Sequence, residues 1–469
     1  MRDIVIIGGG VGGLITASVA GQLGLRVTLI EKTAALGGDC LHHGCVPSKS
    51  LIKAAKVAHW LRHADAFGLP VSDPPIDLGA VNARVQAIID QIQQHDDPDR
   101  FRSYGCEVLL GEAATFISPH AVQVGDRIIE GRRFVIATGS RPFVPELPGI
   151  DPAGILTNES LFNLQNTPSR LAVIGGGPIG LELGQAMQRL GSQVTLLQRA
   201  PTILPQEDPE LTDLLQAQLI DEGLQIRTGR EIAHVDNHNG VFDITCQDDT
   251  RFQVDQILVA TGRQPNIEQL NLEAAGVKST SRGIEVDRRL RTAQKHIYAC
   301  GDVCGPYAFT HLAEYQAGII ISNALFRFPK KTDYRVLPWV TFTDPELARV
   351  GLTEQQAIEQ GIKHTVLRFD FKEVDRAITE RETTGRVKLV TRKGKILGAS
   401  ILGPQAGELI HEIALAMQSG ATIGDISATI HAYPTLAQVH RRTVNTAYAP
   451  KLFSPFTRRL VCWLQKLPG

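Results

Sequence analysis

The glycine fingerprint Gly8-Gly9-Gly10-Val11-Gly12-Gly13 returns with the same spacing as Gly175-Gly176-Gly177-Pro178-Ile179-Gly180, 167 positions later. The apolar run Asp3–Ile7 feeds the first copy, and the helix-like LITASVAGQLG and strand-like RVTLIE follow it. The run Leu171–Ile174 feeds the second, which continues into LELGQAMQRLG and QVTLLQ. Strand, glycine turn, helix and strand make a βαβ unit. Its three spaced glycines let the backbone turn tightly and approach a pyrophosphate at a helix N-terminus, where unpaired N–H groups and the helix dipole favour negative charge. One such match is weak evidence. Two in the right context predict two Rossmann-like dinucleotide sites and an α/β fold.

Composition bounds the rest. A chain of 469 residues has room for two to four domains. Its 43% hydrophobic and 21% charged content, with 44 glycines, describes an ordinary soluble protein. A net charge of −1 removes any global electrostatic case for nucleic acid or membrane partners. Seven scattered cysteines do not form a secreted disulfide framework. The N-terminus lacks the basic region and cleavage site of a signal peptide, and no 18-residue apolar run predicts a membrane span. The expected location is cytoplasmic.

The segment GGDCLHHGCVPSK begins at Gly37, six positions after Glu31, and places four residues between Cys40 and Cys45. On a regular helix those positions lie roughly 140° apart, so a bridge between them needs a break, which Gly44 supplies. A helix starting after Cys45 would stabilise a thiolate there through its dipole. A cysteine pair beside a nucleotide motif reads as a redox couple fed by a bound cofactor. The rival is a zinc site of Cys40, His42, His43 and Cys45, for which no second CxxC or HxxxH follows. Cys106, Cys246, Cys300 and Cys304 read as small apolar filler or surface thiols.

Further signposts are Phe134-Val-Ile-Ala-Thr-Gly-Ser, Ile257-Leu-Val-Ala-Thr-Gly-Arg-Gln-Pro-Asn and Ile297-Tyr-Ala-Cys-Gly-Asp-Val. From Arg2 to about Ala449 the chain resembles the class I pyridine nucleotide–disulfide oxidoreductases: lipoamide dehydrogenase, glutathione reductase and mercuric reductase. The resemblance implies a discontinuous FAD domain, 1–145 and 268–331, interrupted by an NAD(P) domain, 146–267. An α+β dimerisation domain, 335–449, and a basic amphipathic tail, 450–469, would follow. It assigns Gly8, Gly10, Gly13, Gly139 and Asp302 to FAD, with Glu31 placed to accept from a ribose. Cys45 becomes the sulfur nearest the flavin and Cys40 the interchange sulfur. Lys49 stands near the flavin's reactive edge with Glu182 as its ion-pair partner. Gly175, Gly177, Gly180 and Gly262 go to NAD(P). Gln198 stands where NAD-using relatives carry an acid. Arg199 follows as in NADPH-using ones, so NADPH is expected, with NADH the alternative. A second arginine found in glutathione reductase is replaced by Pro205.

Lipoamide dehydrogenase and glutathione reductase end in His-Pro-x-x-x-Glu, a general acid–base pair acting across the dimer. Here the segment reads His431-Ala-Tyr-Pro-Thr-Leu-Ala-Gln438, with Tyr433 in the histidine's place and Gln438 in the glutamate's. Tyrosine, with a pKa near ~10, is a poor base at neutral pH. Mercuric reductase also carries tyrosine there, but its paired C-terminal cysteines are absent and only Cys462 lies in the tail. His431 and His440 are substitute bases or satisfied structural histidines. The expectation is a homodimer with a shared active site, passing electrons from NAD(P)H through flavin and Cys40–Cys45 to a soft metal ion or small disulfide. The alternatives are a dihydrolipoyl dehydrogenase with altered acid–base residues and a non-catalytic flavin-binding sensor. In the tail, apolar residues interleave with Lys451, Arg458, Arg459 and Lys466, which fits dimer packing, disorder or contact with a membrane surface.

Overall fold

The computed structural model describes residues 1–151 and 154–467. They group in two compact units, Met1–Leu197 with Arg230–Asp333, and Gln198–Gly229 with the residues from Tyr334 on.

The first unit is built on parallel strands. Ile4–Ile7 (IVII) and Val27–Glu31 (VTLIE) are buried at every position, as strands covered on both faces must be. The sheet runs Ile297–Ala299, Phe134–Ile136, Ile4–Ile7, Val27–Glu31, Glu107–Leu110, all parallel. In a second parallel sheet Arg170–Ile174 lies between Gln193–Gln198 and Gln256–Val259. The duplication extends beyond the fingerprints. Each βαβ unit is followed by an antiparallel three-stranded meander, Ala114–Ser118, Ala121–Val124 and Arg127–Glu130 in one, Ile232–His238, Val241–Cys246 and Arg251–Val254 in the other. A short antiparallel ribbon pairs Ser140–Pro142 with Arg263–Pro265, so the residues after the two Ala-Thr-Gly segments lie side by side.

The fingerprint glycines divide by what surrounds them. Gly8 has φ +109°, and a Cβ there would lie 2.3 Å from the Ala137 carbonyl oxygen. A Cβ on Gly13 would lie 1.9 Å from the Gly8 carbonyl oxygen. The second copy repeats both contacts, at 2.3 Å for Gly175 and 2.0 Å for Gly180. The middle glycines differ. A Cβ on Gly10 would come no closer than 4.0 Å to the Cα of Gly38, and one on Gly177 would meet nothing within 4 Å. The outer glycines are required by backbone packing, and the middle one keeps the space before each helix open.

The second unit carries a five-stranded antiparallel sheet, in the order Pro338–Thr341, Glu346–Gly351, Lys395–Gly403, Arg386–Arg392, Thr365–Asp370. Ile410 and Ile413 of the helix Ala406–Ser419 and Val439 of the helix Gln438–Asn445 join its core. The segment Gln198–Gly229 is fixed here by charge. Lys388 is buried, with its Nζ 2.8 Å from Asp208, 3.1 Å from Glu210 and 2.7 Å from Glu354. The tail is helical at Ala449–Leu452 and Pro455–Leu464, and no residue of either helix is buried.

Gly13→Ala should destabilise the first unit by about 1–3 kcal/mol, because a methyl group must displace the Gly8 carbonyl. Gly10→Ala, in extended backbone with open space, should leave the unfolding midpoint unchanged. Denaturant titration of the two variants checks the contrast.

Candidate active site

The cysteine segment turns at Gly37 and Gly38, both of positive φ, into the short helix Gly38–His42. That helix ends at His42, and a longer one, Cys45–Arg62, starts at Cys45 itself with Gly44 before it. Gly44 allows the junction to close. A Cβ there would lie 3.0 Å from the Asp39 carbonyl oxygen and 3.3 Å from the Cα of Cys40, and the Gly44 N–H donates to that carbonyl at 2.6 Å. Cys40 is half-buried and Cys45 exposed. The hydrogen bond from Cys40 draws the Cys45 pKa down to about 6, helped by the Thr310 hydroxyl at 3.4 Å and the charge of Lys49. The same bond, with burial, pushes Cys40 upward. The reduced pair is therefore a Cys40 thiol donating to a Cys45 thiolate, at a helix N-terminus that favours the anion.

Lys49 lies one turn beyond Cys45, and its Nζ is 2.8 Å from Oε2 of buried Glu182. Glu182 belongs to Pro178–Arg189, the helix opened by the second fingerprint, so this ion pair joins the cysteine helix to the second dinucleotide unit.

Beside the cysteine segment lies a cleft of about 630 Å³, whose walls include Gly8, Gly10, Glu31, Asp39, Gly139 and Asn266. The Glu31 carboxylate accepts from Gly9 N at 2.7 Å and from the Thr33 N–H and hydroxyl at 2.8 and 2.9 Å. It thus holds the glycine loop while facing the cleft. Asp302 accepts from the Ser140 hydroxyl at 2.6 Å, and burial pushes its pKa up. Arg263 ties these parts together. Its guanidinium is 2.9 Å from Asp39 Oδ2 and 3.6 Å from Asp302 Oδ2, and it donates to the Ser140 hydroxyl at 2.7 Å and the Ser140 carbonyl at 3.0 Å. Asp39 Oδ1 is buried with no hydrogen-bond partner among the described residues. An orphaned acceptor in the cleft wall, an open Gly10 and uncapped helix amides fit FAD, which brings hydroxyl donors and a pyrophosphate.

The remaining predicted residues separate. Gly262, at φ +138°, has open space where a side chain would stand, as Gly177 does. Gln198 ends its strand half-buried, and Arg199 beyond it is exposed. His42 engages the Leu36 carbonyl oxygen at 2.8 Å, and the His43 carbonyl accepts from Asn158 at 3.0 Å. Within the second unit Tyr433 is 71% exposed. His431 has both ring nitrogens engaged, Nε2 with Glu412 at 3.0 Å and Nδ1 with the Thr429 carbonyl at 3.1 Å. His440 is fully buried, with its Nε2 3.0 Å from the Leu409 carbonyl, and burial lowers its pKa. The Nε2 of each imidazole thus contacts the helix Ala406–Ser419, while His440 Nδ1 is buried with no hydrogen-bond partner among the described residues. Sequence reasoning missed Thr310, Arg263, Asp39 and Glu412. Asp39 and Arg263 stood inside segments already singled out, whereas Thr310 lies 265 positions from Cys45 with no local signal.

Residues 2–317 match the pyridine nucleotide-disulphide oxidoreductase family, and 337–443 match its dimerisation domain. A mercuric reductase of Staphylococcus aureus is 39% identical over 444 residues, covering 93% of this chain and 80% of that protein. A dihydrolipoyl dehydrogenase of Geobacillus stearothermophilus is 36% identical over 456 residues, covering 95% and 96%. The Cu(II) complex of the HOCl-induced flavoprotein disulfide reductase RclA from Escherichia coli has a TM-score of 0.86 at 28% identity, covering 95% of this chain and 99% of that one. Proteins of this family depend on FAD and take electrons from NAD(P)H. With two fingerprints, a cysteine couple and matches along both units, the chain belongs to the pyridine nucleotide-disulphide oxidoreductase family.

Proposed function

We propose that this enzyme reduces a soft, thiophilic metal ion with electrons from NADPH, with Cys40 and Cys45 as the place where the ion is captured. When bound, FAD supplies the two-electron relay between nicotinamide and sulfur. The Gly8–Gly13 loop and the wall formed by Glu31, Asp39 and Gly139 would hold it. Lys49, steadied by Glu182, brings positive charge to the Cys45 side of the site.

The observation that carries this reading is the engagement of His431 Nε2 and His440 Nε2, with the Tyr433 phenol exposed between them in sequence. Disulfide reduction, NADPH + H⁺ + RSSR → NADP⁺ + 2 RSH, must deliver protons to sulfur. A positioned histidine contributes roughly 10²–10⁴-fold to such transfers. Reduction of a dication, NADPH + M²⁺ → NADP⁺ + H⁺ + M⁰, consumes no proton and needs thiolate ligands instead, which the low pKa of Cys45 supplies. The mercuric reductase relatives and the copper complex of RclA support an acceptor of this class. The full-length match to dihydrolipoyl dehydrogenase favours a second reading, thiol oxidation by NAD⁺. The dimerisation-domain match supports a homodimer; in this reading Tyr433 is the group one subunit offers to the cysteine pair of the other.

Acceptor assays separate the readings. Mercuric ion should be turned over well, and lipoamide and glutathione disulfide feebly. Tyr433→His with Gln438→Glu should raise lipoamide activity more than tenfold, whereas Tyr433→Phe should depress metal-ion reduction. Brisk native dihydrolipoamide turnover, insensitive to Tyr433→Phe, would establish the second reading.

The sulfur assignment predicts a pH signature. The folded pKa of Cys45 is depressed, so its thiolate persists above about pH 6 and is lost as pH falls through that value. The long-wavelength thiolate–flavin absorption of the reduced holoenzyme should titrate with its midpoint there, and Lys49→Met should move the midpoint upward. Cys45→Ser should abolish the band with FAD still bound. A band that survives Cys45→Ser and disappears in Cys40→Ser reverses the assignment.

The choice of NADPH rests on Gln198 and Arg199. Arg199→Glu should weaken NADPH several-fold and improve NADH, because a charge-assisted phosphate contact becomes a repulsion. Equal native use of both cofactors, unchanged by the substitution, would rule NADPH preference out.

A further inference from the structure

Beyond the dimerisation-domain match, which ends at residue 443, the chain continues into the helices Ala449–Leu452 and Pro455–Leu464. The second is well made. Ser454 caps it by accepting from Thr457 N at 3.1 Å, and Pro455 occupies its first turn. Its apolar side nevertheless lies open. On a 3.6-residue period Phe456, Leu460, Trp463 and Leu464 share one stripe, roughly 100° wide. These four side chains are 75%, 40%, 58% and 47% exposed. Arg458 and Arg459 lie off that stripe, and the exposed Leu452 and Phe453 add apolar surface ahead of it.

The charge distribution is one-sided. From Ile426 to Gly469 the sequence contains no Asp or Glu, while Arg441, Arg442, Lys451, Arg458, Arg459 and Lys466 are all cationic. The whole chain carries only −1. The helix Pro455–Leu464 has 10 residues, about half of what a bilayer-spanning helix needs, a length suited to lying along a bilayer surface. Arg442 is paired with Asp375 at 3.4 Å, but tryptophan and phenylalanine on one face of the tail, with Lys451, Arg458, Arg459 and Lys466 beside them and no acid in its own sequence, suit the headgroup layer. There the rings reach the acyl boundary and the cations meet lipid phosphates.

We propose that the tail, Lys451–Leu467, is an interfacial anchor that lays this enzyme on anionic lipid bilayers. The occupant is argued from charge complementarity. Rims of protein interfaces are polar, and a rim without a single acid fits a negatively charged lipid surface better than a second copy of the same basic segment. The anchor is independent of the acceptor's identity, so it stands or falls apart from the reading of the active site.

Co-sedimentation of the full-length holoenzyme with vesicles tests the proposal. Vesicles containing phosphatidylglycerol should bind the protein, pure phosphatidylcholine should not, and added salt should weaken binding. Arg458→Glu with Arg459→Glu should lower affinity at least ~30-fold, since each cation near the surface contributes about 1 kcal/mol. Phe456→Ser with Trp463→Ser should also release the protein, and neither pair should change NADPH oxidation with a soluble acceptor. Failure of the native enzyme to bind phosphatidylglycerol vesicles would overturn the proposal, as would undiminished binding by the charge-reversed variant. Binding retained after Phe456→Ser with Trp463→Ser would show charge attraction alone and refute insertion. A shift from dimer to monomer in either variant, without lipid, would assign the tail to a second copy instead.

Discussion

The guanidinium of Arg263 is the contact on which the geometry of the first unit turns. It reaches Asp39, beside the first cysteine, then Ser140 on the paired ribbon, then Asp302 on the segment that follows the returning strand. Three stretches far apart in sequence are held by one cation whose side chain is only 14% exposed. A planar, permanently charged group with several donors suits such a junction, because it satisfies acceptors in different directions without moving. Removing it would leave two carboxylates facing each other across a largely buried space, which a protein tolerates poorly.

A second ion pair does related work at longer reach. Lys49 and Glu182 connect the cysteine helix to the second fingerprint helix, and the carboxylate is buried while the ammonium is partly open. The cation therefore stays available to the cysteine side of the site while its position is fixed from behind. Gly44 acts on the same region by steric means, since the absence of a side chain brings Asp39 and Cys40 against the start of the long helix. Charge and close packing together convert a five-position spacing into a converging pair of sulfurs.

What the sequence disclosed follows the range of the forces involved. The α/β class and the two βαβ units were legible because the outer fingerprint glycines answer to backbone contacts within their own unit. The cysteine couple was legible from its glycine and its nucleotide setting. The pairing of Lys49 with Glu182 came from resemblance, since nothing local to either residue names the other. The Arg263 junction was invisible because it exists only after the Ala-Thr-Gly ribbon has formed. His431 and His440 read in sequence either as substitute bases or as satisfied structural histidines. Only the placement of Glu412 and Leu409 on a neighbouring helix shows them engaged.

The grouping of Gln198–Gly229 with the C-terminal residues bears on how such a chain can be recombined. The charges that hold Lys388 in the antiparallel sheet come partly from Asp208 and Glu210, which in sequence sit inside the second dinucleotide unit. Arg368 and Arg386 also lean on Glu210, whose carboxyl they and Lys388 hold near a pKa of about 2. A chimaera that exchanged Arg170–Val259 for the equivalent stretch of a relative would strip a buried lysine of two of its three counter-ions. The nucleotide-binding part of this protein is thus no free-standing cassette. Its inheritance is tied, through a handful of carboxylates, to the sheet at the other end of the chain.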